Sequence, residues 1–223
     1  MGSGMVRVIL ALCLAVIAWS SQALLLRHLG QLDAGAATHL MVPRADVAKL
    51  MATDFENVGA DVTWIQALVF NGEQLQKQKG VPRDFTGLAD AFDLVTELDP
   101  RFHDATLFGS WALADADQVS ASERLVVKAM NRFPEKWEYP FQLAFIEFLY
   151  GRDARSAADH FMQASRLPDC PPNAAHMAAG LYAKGNKTDL AIATWRNIYE
   201  HGDDRIRGIA RRALEHLGVN LPD

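Results

Sequence analysis

Apolar side chains return at helical spacing along most of the chain. In two stretches they occupy positions i, i+3, i+4 and i+7, the spacing that places side chains on one face of an α-helix. These positions are Phe141, Ala144, Phe145 and Phe148 in the first stretch, and Ala175, Ala178, Ala179 and Tyr182 in the second. A turn signal follows each stretch, at Gly151-Arg152 and at Gly185-Asn186, and a second apolar stripe comes after it. Each stretch therefore predicts a helical hairpin.

A period of 34 residues relates these hairpins. Residues of the same kind recur at this interval: Pro100, Pro134 and Pro168; Gly151 and Gly185; Ala157 and Ala191; Phe161 and Trp195. This is the period of the tetratricopeptide repeat, a helix–turn–helix unit whose second helix ends at a proline. The pattern predicts an all-α fold, a tetratricopeptide-like α-solenoid of helical hairpins over residues 43–219.

Two weaker units precede these hairpins. The first contains Trp64 and closes at Pro100, and we expect a long loop over residues 72–84, which include Gly80 and Pro82. The second unit, residues 101–134, keeps the repeat length, but its apolar spacing is degenerate. Within it, Ser120-Ala121-Ser122-Glu123 has the pattern of a capping box at the start of a helix.

The two ends of the array have patterns of their own. A helix from Arg44 to about Val58 is expected to pack on the Trp64 helix, with a break near Gly59. The last apolar stripe covers residues 206–217, and Asp203 and Asp204 precede it as candidate N-caps. The opposite face of this last helix carries four arginines, which predicts a solvated face closing the solenoid. They are Arg205, Arg207, Arg211 and Arg212.

An apolar segment precedes the repeats. Residues 8–26 number 19, close to the ~20 that cross a bilayer as a helix, and Arg7 and Arg27 flank them. We expect residues 1–29 to form a membrane anchor and residues 30–42 a linker. A cleavable signal peptide is the alternative, because Ser21-Gln22-Ala23 resembles a cleavage site. The basic residue on the short N-terminal side favours a cytoplasmic N-terminus and an exported body.

Small residues mark one side of this apolar segment. Ala11, Ala15 and Ala18 fall at i, i+4 and i+7. Stripes of this kind allow transmembrane helices to approach closely. They are candidate positions for packing against partner transmembrane helices, or else alanines that merely fill the segment.

Three short motifs carry a resemblance to a known family. In order along the chain they are Asp61-Val62-Thr63-Trp64, Leu98-Asp99-Pro100 and Trp137-Glu138-Tyr139-Pro140. With the N-terminal anchor, the chain resembles a family of membrane-anchored tetratricopeptide-repeat-like proteins of the delta-proteobacterial type. The resemblance covers nearly the whole chain. It implies an architecture and a bacterial envelope location, and it brings no chemistry with it.

Composition and motifs argue against catalysis. The net charge is −5 over 223 residues, so the chain lacks the basic excess typical of nucleic-acid binding. The two cysteines, Cys13 and Cys170, exclude a disulfide framework and a four-cysteine zinc site. No HExxH, phosphate-binding loop or GxSxG pattern is present. We therefore predict no enzyme activity, no cofactor, no metal site and no small-molecule substrate.

Aromatic residues are the remaining candidate signal. Most of them fall on the predicted repeat core, but Trp137, Tyr139 and Tyr150 do not. These three are candidates to line a groove where a repeat array binds a partner.

The sequence therefore favours a non-enzymatic, membrane-tethered scaffold or accessory subunit of a multi-protein envelope complex. Its protein partners would include integral membrane subunits. The expected location is the bacterial inner membrane, as a single-pass protein with a cytoplasmic N-terminus and a periplasmic repeat domain. The alternative is an independent envelope module that recognises a soluble protein, a peptide or a cell-wall component.

Overall fold

Ten α-helices, and no strand, form the regular structure of the part of the chain that the computed structural model describes, residues 40–52 and 55–221. They are α1 (Ala45–Ala52), α2 (Glu56–Gln76), α3 (Leu88–Leu98), α4 (His103–Asp115), α5 (Val119–Arg132), α6 (Glu138–Ile146), α7 (Ala154–Ser165), α8 (Asn173–Lys184), α9 (Thr188–His201) and α10 (Asp204–His216). A π-helical turn, Glu147–Gly151, continues α6.

Successive helices pack on one another as hairpins. The pairs are α2 with α3, α4 with α5, α6 with α7, and α8 with α9, while α10 packs on α9 and α1 packs on α2 and α3. Contacts between neighbours in sequence dominate the described part of the chain, as in a helical solenoid. The prediction of an all-α array of hairpins is confirmed.

The predicted anchor lies outside the described residues. So do Ala11, Ala15 and Ala18 and almost all of the predicted linker. Across the residues that are described, no helix is both long enough and apolar enough to cross a membrane.

Small residues sit where the helices of the later hairpins cross. Ala157 on α7 and Ala191 on α9 are both fully buried, 34 positions apart. One turn after each, a large aromatic side chain fills the hairpin core: Phe161 is fully buried and Trp195 is 8% exposed. The repeat register predicted from the period is therefore the register of the folded core.

In each of the last three hairpins, the turn between the two helices contains one non-glycine residue with positive φ. These residues are Asp117, Arg152 and Asn186, with φ of 62°, 55° and 57°. After Asp117 and Asn186, the next amide donates to a carbonyl five residues earlier, at 2.8 Å in both turns. This is the Schellman arrangement, which satisfies carbonyls at a helix end. Although glycines predicted two of these turns, the left-handed residue is Arg152 or Asn186 and not the glycine before it.

The turn at Arg152 contains one residue more than the others. Here the amide of Asp153 donates at 3.0 Å to the carbonyl of Glu147, six residues earlier. The π-helical turn at Glu147–Gly151 accommodates this extra residue, because a π-helix places one more residue in each turn than an α-helix. The extra residue explains why Arg152 follows Asp117 by 35 residues, whereas Asn186 follows Arg152 by the usual 34.

Two predicted boundaries in the first hairpin are wrong. Gly59 lies inside α2, and its amide donates to the carbonyl of Phe55 at 3.1 Å. Burial of the adjacent Ala60 outweighs the ~1 kcal/mol that a helical glycine costs. At the other end, α2 continues to Gln76, because the buried Gln74 side chain accepts a hydrogen bond from the amide of Asp84 at 2.9 Å. The loop therefore covers residues 77–87.

Two further expectations are corrected. The predicted capping box is absent, since α5 begins at Val119 and Ser122 is buried, donating its hydroxyl to the carbonyl of Ser110 at 2.6 Å.

The four arginines of α10 are not uniformly solvated. Arg207 donates to the carbonyls of Tyr199 and Gly202, at 3.2 and 3.1 Å. Of the two candidate N-caps, Asp203 is confirmed, and its carboxylate accepts from the amide of Ile206 at 2.8 Å, whereas Asp204 is the first residue of α10.

Candidate partner-binding surface

Five aromatic side chains form a continuous row along α6. In order of contact they are Trp137, Phe141, Phe145, Trp111 and Tyr150, and we call them the aromatic row. Successive ring centroids are 5.5, 5.2, 6.2 and 6.1 Å apart. All five are half-buried, so each keeps part of its ring accessible. Aromatic pairs at these distances hold one another in place, which makes the row a rigid surface.

Helical spacing explains how the row arises. Trp137, Phe141 and Phe145 stand four residues apart, so they lie on one side of α6. The row then passes to Trp111 on α4, which is the first helix of the preceding hairpin. It returns to Tyr150 in the π-helical turn. The first helices of two neighbouring hairpins therefore contribute to one surface.

Two of the three residues predicted to line a groove belong to this row. Trp137 stands at the N-terminus of α6, and its ring meets Phe141 edge to face. Tyr150 stands at the other end, and its hydroxyl donates to the Asp115 carboxylate. This hydrogen bond, together with burial, raises the pKa of Tyr150 to about 12. The Tyr150 hydroxyl is therefore a fixed donor near neutral pH.

The third residue, Tyr139, is not part of the aromatic row. It is 1% exposed and packs in the core against Phe133, with its hydroxyl hydrogen-bonded to the His103 ring. Burial is the main reason why the pKa of Tyr139 is raised to about 12. Tyr139 is two residues from Trp137, and this spacing turns its side chain toward the opposite side of the helix.

A charged cluster adjoins the π-helical turn. The His160 ring donates to the Glu147 carboxylate at 2.7 Å, and this hydrogen bond raises the pKa of His160. Nearby, burial and then the charges of Glu147 and Asp153 raise the pKa of Glu123. Sequence reasoning missed this pair, because no helical spacing relates residues 147 and 160 across a hairpin turn.

Lys184 extends the aromatic surface to the next hairpin. Its ammonium lies 5.4 Å from the ring centre of Phe148, a cation–π arrangement. Phe148 follows Phe145 by three residues, so it lies on the same side of the helix. The surface therefore spans three hairpins, from α4 to α8.

A groove of about 490 Å³ forms a second surface feature, with walls from α7, α8 and α9. Met162 and Leu190 give it an apolar wall, and Asn197 and Arg166 bring polar groups to it. The Tyr182 hydroxyl, also part of its lining, already donates to Asp159 at 2.6 Å. The groove is open, and it holds no converging set of charged groups.

An ion-pair network joins the second helices α3 and α5. Glu97 accepts from Lys128 at 2.6 Å and from Arg132 at 3.1 Å. Burial by itself would raise the pKa of Glu97, but Lys128, Lys49 and Arg132 together lower it to about 2. Every charge in this network has a partner, so the network is best explained as a link between hairpins.

Two further features concern the metal-ligating and thiol side chains. Among residues 40–52 and 55–221, no group of three or more His, Cys, Asp or Glu side chains is arranged to hold a metal ion. Burial, with the charge of Glu138, raises the pKa of the Cys170 thiol, which disfavours the reactive thiolate.

A comparison of the chain with models of known protein families gives no match, and a comparison with curated proteins gives none either.

Proposed function

We propose that this chain is a non-enzymatic scaffold or accessory subunit, tethered to a membrane, that binds protein partners through its helical array. The observation that carries the proposal is the aromatic row, a rigid and partly exposed surface on the first helices of neighbouring hairpins. Tryptophan and tyrosine are enriched at the centres of protein interfaces, because they bury a large area at low cost in conformational entropy.

Only the sequence supports the membrane tether. Residues 8–26 have the length and the apolar character of a bilayer span, with basic residues on both sides. We infer a single-pass protein of the bacterial inner membrane, with a cytoplasmic N-terminus and a periplasmic repeat domain. Intact mass of the protein purified from membranes tests this inference, since signal-peptide cleavage after Ala23 would remove the anchor.

Native purification in mild detergent tests the proposal itself. A subunit should retain a protein partner at fixed stoichiometry, and Trp111→Ala should release this partner. Val127→Ala is the matched control, because Val127 is an exposed apolar residue on α5 outside the row. Circular dichroism of both variants checks that the helices are intact.

A different outcome would favour the alternative function. A chain that purifies as a monomer without a partner would instead be an independent envelope module. The groove beside α7 and α9 supports this alternative, since its apolar wall and polar rim suit a short peptide. Leu190→Arg, which places a charge in that wall, should then abolish peptide binding.

A further inference from the structure

The long helix α2 exposes a stripe of large apolar side chains. Phe55, at its N-cap, and Val58, Val62, Ile65 and Val69 are all at least 50% exposed. The intervals between them alternate between three and four residues. This is the heptad spacing with which two helices pack along a common seam.

The stripe is separate from the surface by which α2 joins its own hairpin. That surface carries Ala60, Ala67 and Phe70, which are buried against α3. The helix is therefore apolar on two opposite sides. The terminal helix of a repeat array usually has a polar outer face, as α10 does with Arg205 and Arg212. α2 is the first helix of the first hairpin and only the short α1 is described before it, yet the side that it exposes to solvent is apolar.

We propose that the stripe pairs with the same stripe of a second copy of this chain, with the two α2 helices antiparallel about a two-fold axis. This proposal is independent of the partner-binding function proposed above. The surface lies on α2, and the aromatic row lies on α4 and α6.

The antiparallel register is set by side-chain size. With Val62 of one copy opposite Ile65 of the other, Val58 falls opposite Val69. The same register brings Phe55 opposite Gly72. A Cβ at Gly72 would meet no atom within 4 Å, so this position leaves room for an aromatic ring. The largest side chain of the stripe thus faces the one position on the seam without a side chain.

Charge does not oppose the antiparallel pairing. Between residues 56 and 76 the helix carries Glu56, Asp61 and Glu73, and no lysine or arginine. With Phe55 at heptad position a, Asp61 falls at position g and Glu73 at position e, and an antiparallel pair sets g beside g and e beside e. In the register above, Asp61 of one copy lies nearest Leu68 of the other, so no two acids of the flanks meet.

The size of the seam sets the expected strength. From Phe55 to Val69 it spans ~21 Å at the helical rise of 1.5 Å per residue. A single seam of this length buries less than the ~800 Å² per partner of a standard interface. We therefore expect a reversible dimer, with a dissociation constant on the order of micromolar.

Analytical ultracentrifugation of the full chain tests the association. The wild type should dimerise as concentration rises, and Ile65→Asp should weaken this association at least tenfold. The matched control is Val81→Asp, which introduces the same charge at an equally exposed valine in the loop after α2. If the dimer forms through residues 1–39 instead, Ile65→Asp will associate like the wild type, and the proposal is overturned.

Disulfide cross-linking tests the register, in a background with Cys13→Ser and Cys170→Ser. In the antiparallel pair, residue 58 lies ~16 Å along the axis from its own copy, beyond the reach of a disulfide. Val58→Cys alone and Val69→Cys alone should therefore not cross-link, whereas an equal mixture of the two variants should. Self-cross-linking of either variant alone would indicate a parallel pair and overturn the proposal.

A monomer at every accessible concentration would also overturn it. If such a monomer binds a basic amphipathic helix, and Ile65→Asp abolishes this binding, then the stripe is a binding site for a different protein. A synthetic helix with leucines at heptad spacing and lysines on its flanks is a suitable probe.

Discussion

The ring of Phe92 lies directly against the backbone of Gly109: a Cβ added to this glycine would come within 2.8 Å of the ring. Phe92 is fully buried on α3, and Gly109 faces it from α4. The first and second hairpins therefore meet at a contact that only glycine permits. The separation between these hairpins depends on this pair.

Alanine at position 109 is therefore expected to destabilise the protein. Gly109→Ala should lower the free energy of unfolding by about 1–3 kcal/mol, because the Phe92 ring must move in a close-packed core. Gly180→Ala is the control, since a Cβ there meets no atom within 4 Å. Alanine also has the higher helix propensity, so Gly180→Ala should be neutral or stabilise by up to about 1 kcal/mol. Urea unfolding of both variants measures the difference, and equal effects would contradict the contact.

The positive φ of Arg152 gives a second prediction. A left-handed conformation costs a residue with a Cβ about 1–2 kcal/mol, and glycine avoids this cost while losing more backbone entropy on folding. Arg152→Gly should therefore raise the free energy of unfolding by about 0.5–1 kcal/mol. The same change at Asn186 should gain less, because asparagine tolerates this conformation. Arg155→Gly, in the first turn of α7, should destabilise by up to about 1 kcal/mol. Urea unfolding of the three variants measures their free energies of unfolding and tests this order.

The sequence predicted the later hairpins well because their period is regular. Ala157 and Ala191, with Phe161 and Trp195, occupy the core positions that the 34-residue interval requires. A period is visible in one sequence whenever successive units bury the same side chains. The α-helical spacing within each unit then gives the helices themselves.

The errors have a common physical origin. Gly59 and Ser122 have residue types that suggest a break and a cap, but tertiary contacts decide their roles. The π-helical turn adds one residue that no local pattern announces. Tyr139 was expected at the surface because it lies off the core stripe, yet a second buried side of α6 receives it. Contacts between helices that are distant in sequence cannot be read from spacing.

The His160–Glu147 pair should make stability depend on pH. Its hydrogen bond raises the pKa of His160 in the folded protein, so the folded state binds this proton more tightly than the unfolded chain. The stabilisation is complete below the unfolded pKa of ~6.5 and is lost as pH rises through the higher folded pKa. The difference in unfolding free energy between wild type and His160→Gln should therefore shrink as pH rises. Glu147→Gln should weaken this dependence, and NMR titration of His160 in that variant should give a lower pKa than in the wild type.

Arg207 should matter more to stability than a solvated arginine. Its guanidinium donates to the carbonyls of Tyr199 and Gly202, at the C-terminal end of α9. Arg207→Ala is expected to cost about 1 kcal/mol, because these carbonyls lose their donor. Arg212 is exposed on the same helix, and Arg212→Ala should change stability by less than about 0.5 kcal/mol. Thermal unfolding of the two variants tests this, and equal melting temperatures would show that solvent replaces these hydrogen bonds at no cost.

The last prediction tests the repeat core of α9. Trp195 is 8% exposed and stacks on His176 with 5.9 Å between ring centres. Trp195→Ala should cost about 3–5 kcal/mol, since it leaves a cavity in the last hairpin. Ala191→Leu should cost about 1–3 kcal/mol, because the helix crossing at this fully buried alanine has no space for a larger side chain. Neighbouring repeats couple chiefly to each other, so hydrogen exchange should rise most in α8, α9 and α10 and least in α2 and α3. A uniform rise across all hairpins would mean that the array unfolds as a single cooperative unit, without the nearest-neighbour behaviour of a solenoid.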